Sequence, residues 1–249
     1  MVARTLKQFK ALFLITVREQ LREKILWIGF LLGVGVLAFV ISVSRFSFIL
    51  ESRLLLNSGG FFLDASAIVL GLLLSSKVYA HDLETRMFDL IFIRNVSPVA
   101  YVLGRSFGLT GAVGLSNAIL AFIVAVYLAI IGQPEWMGVG LLWFTSLLKG
   151  ACVGLWALVL SFRFKPFVTG LLTLIAVWVS AQEVVHQGYQ DVLQFLFPAM
   201  RVFDFSDEVL YGFPISIWWV LGGLLQVFAW IVLWSVIANI LFKYRRTFA

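Results

Sequence analysis

The sequence predicts an all-α integral membrane protein with six transmembrane helices, an N-terminal interfacial amphipathic helix and a short cytoplasmic helix between spans 2 and 3. Three observations carry that expectation. The 249 residues are 61% hydrophobic and only 13% charged, with a mean hydropathy of +1.00, and a water-soluble domain of this size could not wet so apolar a surface. The apolar residues fall in runs of about 20, the length a helix needs to cross a hydrocarbon core about 30 Å thick. Those runs do not alternate polar with apolar at every second residue, as the strands of a membrane barrel do.

Residues 1–24 are too charged to span. Leu6, Phe9, Phe13, Val17 and Leu21 recur at steps of three and four, while Lys7, Lys10, Arg18 and Arg22 lie off that stripe. The pattern is that of a helix in the membrane interface with its cations toward anionic headgroups. Such a helix serves as a topology anchor, or as a lever carrying motion from a cytosolic partner into the first span. The lead is long for a signal-peptide n-region and no small-residue cleavage site follows the first apolar run, so that run is read as a retained helix.

The spans are expected at 25–43, 62–79, 107–131, 136–162, 164–181 and 215–242, which makes 1–249 a single transmembrane domain with spans 1–5 inside 25–181. Arg163, Lys165 and Pro166 end the fourth span. Residues 182–214 read as an outer loop or short re-entrant helices, punctuated by Pro198 and Pro214, and 243–249 as a cytoplasmic tail. With the N-terminus inside, fifteen bases face the cytoplasm and three (Arg45, Arg53 and Arg201) face outward, so the positive-inside rule puts both termini in the cytoplasm. Most acids then fall outside; Glu51, Asp64, Glu135 and Glu183 read as solvated loop residues. Trp27, Tyr79, Tyr101, Trp136 and Trp218, near span ends, read as interfacial anchors. The single cysteine, Cys152, lies in an apolar run and rules out an internal disulfide.

The segment HDLETRMFDLIFIRNVSP, within residues 80–98, lies on the cytoplasmic side. Leu83, Met87, Leu90 and Ile91 share one helical face. Asp82 precedes Arg86 by four residues, the favourable order for a helical ion pair, and Asp82 and Glu84 suit a first turn. Pro98 stops a helix or holds Ser97 extended. A helix resting on the membrane needs only one apolar face, whereas Phe88, Phe92 and Ile93 add a second surface to cover.

Paired acids (Asp82, Glu84), an amphipathic helix with Leu90, then Pro98 and Gly104-Arg105 before the next span resemble the permease subunit of type-2 ATP-binding-cassette (ABC) exporters. Thr85-Arg86 stands where that family has Gly-Thr. The lead ending RE…LREK, the six spans and the segment FPAMRVFDFSDEVLYGFPIS extend the similarity over essentially the whole chain. The resemblance implies that Asp82, Leu83, Glu84, Arg86, Met87, Leu90, Ile91 and Pro98 form a coupling helix that docks on an ATPase subunit. It also implies two copies of a soluble P-loop ATPase carrying ATP and Mg, a second permease subunit as homodimer or heterodimer, and residence in a bacterial inner membrane. The substrate class that suits aromatic-rich spans is lipid-like or amphipathic. Membrane lipid is the other partner, and nothing points to nucleic acid.

The chain itself lacks the phosphate-binding loop. Gly104-Arg105-Ser106 matches only the end of G-x-x-x-x-G-K-[ST], with valine at position 99 and arginine in place of lysine. No catalytic, cofactor or metal site is expected in this chain. His81 and His186 both lie in loops, away from any nucleophile at membrane depth, which argues against a membrane hydrolase. An ion-coupled secondary carrier would need charge near the midplane, and a non-transporting anchor for an ATPase would need none. Lys149, twelve or so residues into the fourth span, costs about 2.5–3.5 kcal/mol there, which marks it as a pathway residue or one half of an interhelical pair. Gly29/Gly33, Gly104/Gly108 and Gly150/Gly154 have the spacing that lets helices approach closely.

Overall fold

The computed structural model describes residues 2–44, 51–85, 96–181 and 216–246, and every regular element among them is a helix. In chain order these are α1 (Val2–Leu21), α2 (Lys24–Ser44), α3 (Glu51–Glu84), α4 (Pro98–Ile130), α5 (Trp136–Ser161), α6 (Pro166–Ala181) and α7 (Ile217–Arg246). Five of them, α2–α5 and α7, are long and apolar enough to cross a membrane, and α6 is a shorter apolar helix. The expected 182–214 segment lies outside the described residues.

α5 is the central helix. Every residue from Lys149 to Val159 is buried, Cys152 among them, because α3, α4, α6 and α7 all pack around it. The α3–α5 contact is backbone-close. A Cβ on Gly71 would sit 3.1 Å from the Gly150 carbonyl oxygen, and one on Gly150 would meet Ala67 at 3.2 Å. Small residues at this spacing are what parallel helices need to touch. α7 joins through aromatic contacts, with the Trp234 ring 5.8 Å from both Trp156 and Trp230.

The helix boundaries differ from the sequence expectation where polar residues occur inside helices. α3 has 34 residues and α4 has 33, about 50 Å each, against the ~30 Å of a hydrocarbon core. Ser75, Ser76 and Lys77 do not end α3: the Ser76 hydroxyl donates to the Leu73 carbonyl at 3.0 Å, and Lys77 takes an exposed position. His81 to Glu84 are therefore the last turn of α3, not the first turn of a separate helix. The Thr85 backbone N–H and hydroxyl both donate to the His81 carbonyl, at 2.9 and 2.8 Å. Pro98 opens α4 instead of stopping a helix. Ser97 is extended (φ −69°, ψ 137°) and its hydroxyl accepts the Ala100 N–H, an N-cap followed by proline at N1.

Candidate functional site: a buried ion cluster between α1, α3 and α4

Glycine positions the cluster. A Cβ on Gly104 would sit 2.7 Å from Leu12 Cβ, and one on Gly108 only 2.6 Å from Thr16 Cβ and 3.0 Å from the Phe13 carbonyl oxygen. α1 thus lies in direct contact with the first half of α4, running in the same direction. The face it presents is Leu12, Thr16 and Gln20, all buried. The apolar stripe read from sequence is rotated from it by roughly a quarter-turn: Phe9, Phe13 and Val17 are half-buried, and Leu6 is exposed. Thr16 packs directly against Gly108, and the apolar stripe borders the same contact: a Cβ on Gly111 would meet Phe13 at 3.4 Å and Val17 at 3.5 Å.

Arg105 stands at the centre of this contact, fully buried. Its Nε donates to Asp82 Oδ2 at 3.0 Å and its Nη2 pairs with Asp82 Oδ1, a two-point pairing across α4 and α3. Its Nη1 donates to Thr16 Oγ1 at 3.0 Å and pairs with Glu19, both on α1. The Tyr101 hydroxyl donates to Asp82 Oδ2 at 2.7 Å. One guanidinium therefore holds two carboxylates on two other helices, in the planar fork geometry that only arginine offers. The arrangement also fixes depth. The Phe162 ring, just past the end of α5, lies 4.9 Å from Tyr79 and 6.4 Å from Tyr101, so the cluster sits where α5 ends while α3 and α4 continue outward.

Several expected roles change accordingly. Asp82, expected on a docking face beside Arg86, is 1% exposed; it faces inward to Arg105 and Tyr101 because α3 runs on past it as one helix. Tyr101 and Tyr79, expected as interfacial anchors, are buried at 0% and 3%. Leu83 and Glu84 are exposed on the last turn of α3, and Pro98 is half-buried. Arg86, Met87, Leu90 and Ile91 lie outside the described residues. Thr16 has no sequence signal of its own, and Glu19 is read only within the RE…LREK stretch; a buried arginine with a second unfilled edge is the feature that points to both.

A second ion pair lies within the bundle. Lys149 of α5, buried, pairs with Asp64 of α3. This corrects the reading of Asp64 as a solvated loop residue. Each lies thirteen residues past the first residue of its helix, and the two helices run the same way, so both charges reach one depth. The equal depth was hidden because α3 begins at Glu51, eleven residues before the apolar run that marks it. Near this pair, Asn117 of α4 donates to the Leu63 carbonyl at 3.2 Å and accepts from the Ser66 hydroxyl at 2.9 Å. All three glycine pairs singled out by spacing face another helix: Gly29 meets Leu70, Gly33 meets Phe62 and Leu120, and Gly154 meets Ser75.

Among the described residues no group of three His, Cys, Asp or Glu side chains could hold a metal ion. What the first cluster does chemically is tie three helices at one end of the bundle by charge-assisted hydrogen bonds. No protein-family model matches the chain, and no curated protein matches it.

Proposed function

We propose that the chain is the membrane-spanning permease subunit of a type-2 ABC export transporter. ATP and Mg are bound by a separate soluble P-loop subunit, present in two copies. A second permease, identical or paralogous, completes the complex. In this reading α2–α7 are six spans in a bacterial inner membrane, both termini are cytoplasmic, and the cargo is lipid-like or amphipathic.

The observation that supports it most is the Glu19–Arg105–Asp82 cluster. Asp82 and Arg105 are two of the residues on which the family resemblance rests, and they form a single buried pair. That pair joins the end of α3 to the start of α4 and fastens both to α1, so a push on the segment between them would move three helices together. The docking surface in this reading is formed by Leu83 and Glu84 with the segment that follows, while Asp82 positions it from behind. Co-purification tests the proposal: a P-loop subunit should accompany the intact chain, and Leu83→Asp with Glu84→Lys should release it without unfolding the permease.

The Asp64–Lys149 pair, with Asn117 and Ser66 beside it, favours one alternative, an ion-coupled carrier. Substrate movement in membrane vesicles that stops when the proton gradient is collapsed but persists without ATP would select that alternative.

A further inference from the structure

Where α5 turns into α6 the surface holds a cavity of about 230 Å³. Ser76, Tyr79, Ala80 and Leu83 of α3 line one side, and Ser161 and Phe162, the turn residues Arg163 to Lys165, and Pro166 line the other. Two cations thus face a space walled mostly by apolar side chains; the Ser76 and Ser161 hydroxyls donate to the Leu73 and Leu158 carbonyls, and no described lining residue is a carboxylate. The turn is held tightly. The Arg163 and Phe164 N–H groups both donate to the Leu160 carbonyl at 3.0 Å, and the Lys165 carbonyl accepts the Thr169 N–H at 3.0 Å. Arg163 and Lys165 are exposed, and α6 starts at the next residue, Pro166, adding the partial positive charge of a helix N-terminus.

We infer that this cavity binds the phosphate headgroup of an anionic phospholipid. The chemistry is that of basic pockets between membrane helices, where two bases match a phosphodiester. Two further observations point to a lipid as the source of that phosphate. The cationic turn opens α6, an apolar helix, and bases at the end of an apolar helix lie at the headgroup layer. Phe167, Leu171, Leu174 and Trp178 are all exposed and recur at the spacing of one helical stripe. That stripe begins at the mouth of the cavity and continues along α6, which gives the acyl chains a surface to lie on. Nothing in this inference depends on the transport reading.

The test uses the full chain purified in a non-ionic detergent, with thermal unfolding and native mass spectrometry as readouts. Phosphatidylglycerol should bind and raise the unfolding midpoint by several degrees, while phosphatidylcholine and inorganic phosphate should not. Arg163→Gln with Lys165→Gln should weaken phosphatidylglycerol binding by at least about tenfold and leave the lipid-free midpoint unchanged, since both side chains are exposed. Arg22→Gln with Lys24→Gln, exposed bases elsewhere, should leave that binding intact. Equal effects of phosphatidylglycerol and phosphatidylcholine would overturn the inference. So would full retention of binding in the Arg163/Lys165 variant, or equal loss in the Arg22/Lys24 variant. A shift produced by inorganic phosphate alone would make this a free-anion site and remove the lipid.

Discussion

Arg105 is the residue on which the rest of the cluster depends. Replacing it with glutamine leaves Asp82 buried and Glu19 half-buried without their cation, and breaking a buried pair in this way costs about 3–5 kcal/mol. Arg105→Lys should recover little, because an ammonium cannot hold Asp82 at two points and still reach Thr16 and Glu19. Adding Asp82→Asn to Arg105→Gln should restore part of the loss, since the stranded charge is then gone. Unfolding midpoints in detergent measure all three, and a wild-type midpoint for Arg105→Gln would dismiss the clamp. Lys149 and Asp64 follow the same logic inside the bundle. Lys149→Ala and Asp64→Ala should each destabilise the protein, and the double variant Asp64→Ala/Lys149→Ala should lose less than the two single losses combined. Additive losses would deny the coupling. At this scale the sequence singles out Asp82, Arg105 and Lys149 by their charge, but it does not pair them. Arg105 lies 23 residues from Asp82, and Asp64 lies in a different span from Lys149, so only the packed helices bring partners together.

Among the elements, α1 is where sequence and structure part most instructively. Its amphipathic character is legible at once, and so is the Gly104/Gly108 spacing on α4. The face that docks is not, because apolar periodicity selects Phe9, Phe13 and Val17 while the buried line is Leu12, Thr16 and Gln20. A contact made through glycine recruits small or polar residues that a hydrophobicity pattern ignores. Gly108→Leu should therefore push α1 off α4, since even a Cβ would stand 2.6 Å from Thr16 Cβ. Trypsin should then cut faster at Lys10 and Arg18, which are exposed on α1. Gly140→Ala, with nothing within 4 Å of its Cβ, is the matched control and should digest like the wild type. Equal digestion of Gly108→Leu and the control would mean that α1 is not held by this contact.

The molecule as a whole is a helical membrane bundle with one end built differently from the other. Its apolar runs are readable because lipid permits few long polar interruptions, and five of the six expected spans coincide with helices long and apolar enough to cross a membrane, the other falling on the shorter α6. The ends are less readable. α3 and α4 extend beyond their apolar runs with polar residues both buried, as Asp82 and Arg105, and exposed, as Lys77, His81 and Glu84, so composition alone ends them too early. Those extensions, with α1 fastened to them by Arg105, form one end of the bundle. Our central claim is that an ATPase subunit docks on it. Extraction of the chain from its native membrane in gentle detergent, followed by mass spectrometry of what accompanies it, tests that claim most directly. The account predicts a soluble P-loop subunit in equal amount with the permease, lost in Leu83→Asp/Glu84→Lys and retained in Arg163→Gln/Lys165→Gln. Recovery of the folded chain alone, with no P-loop subunit from the wild type, would contradict it.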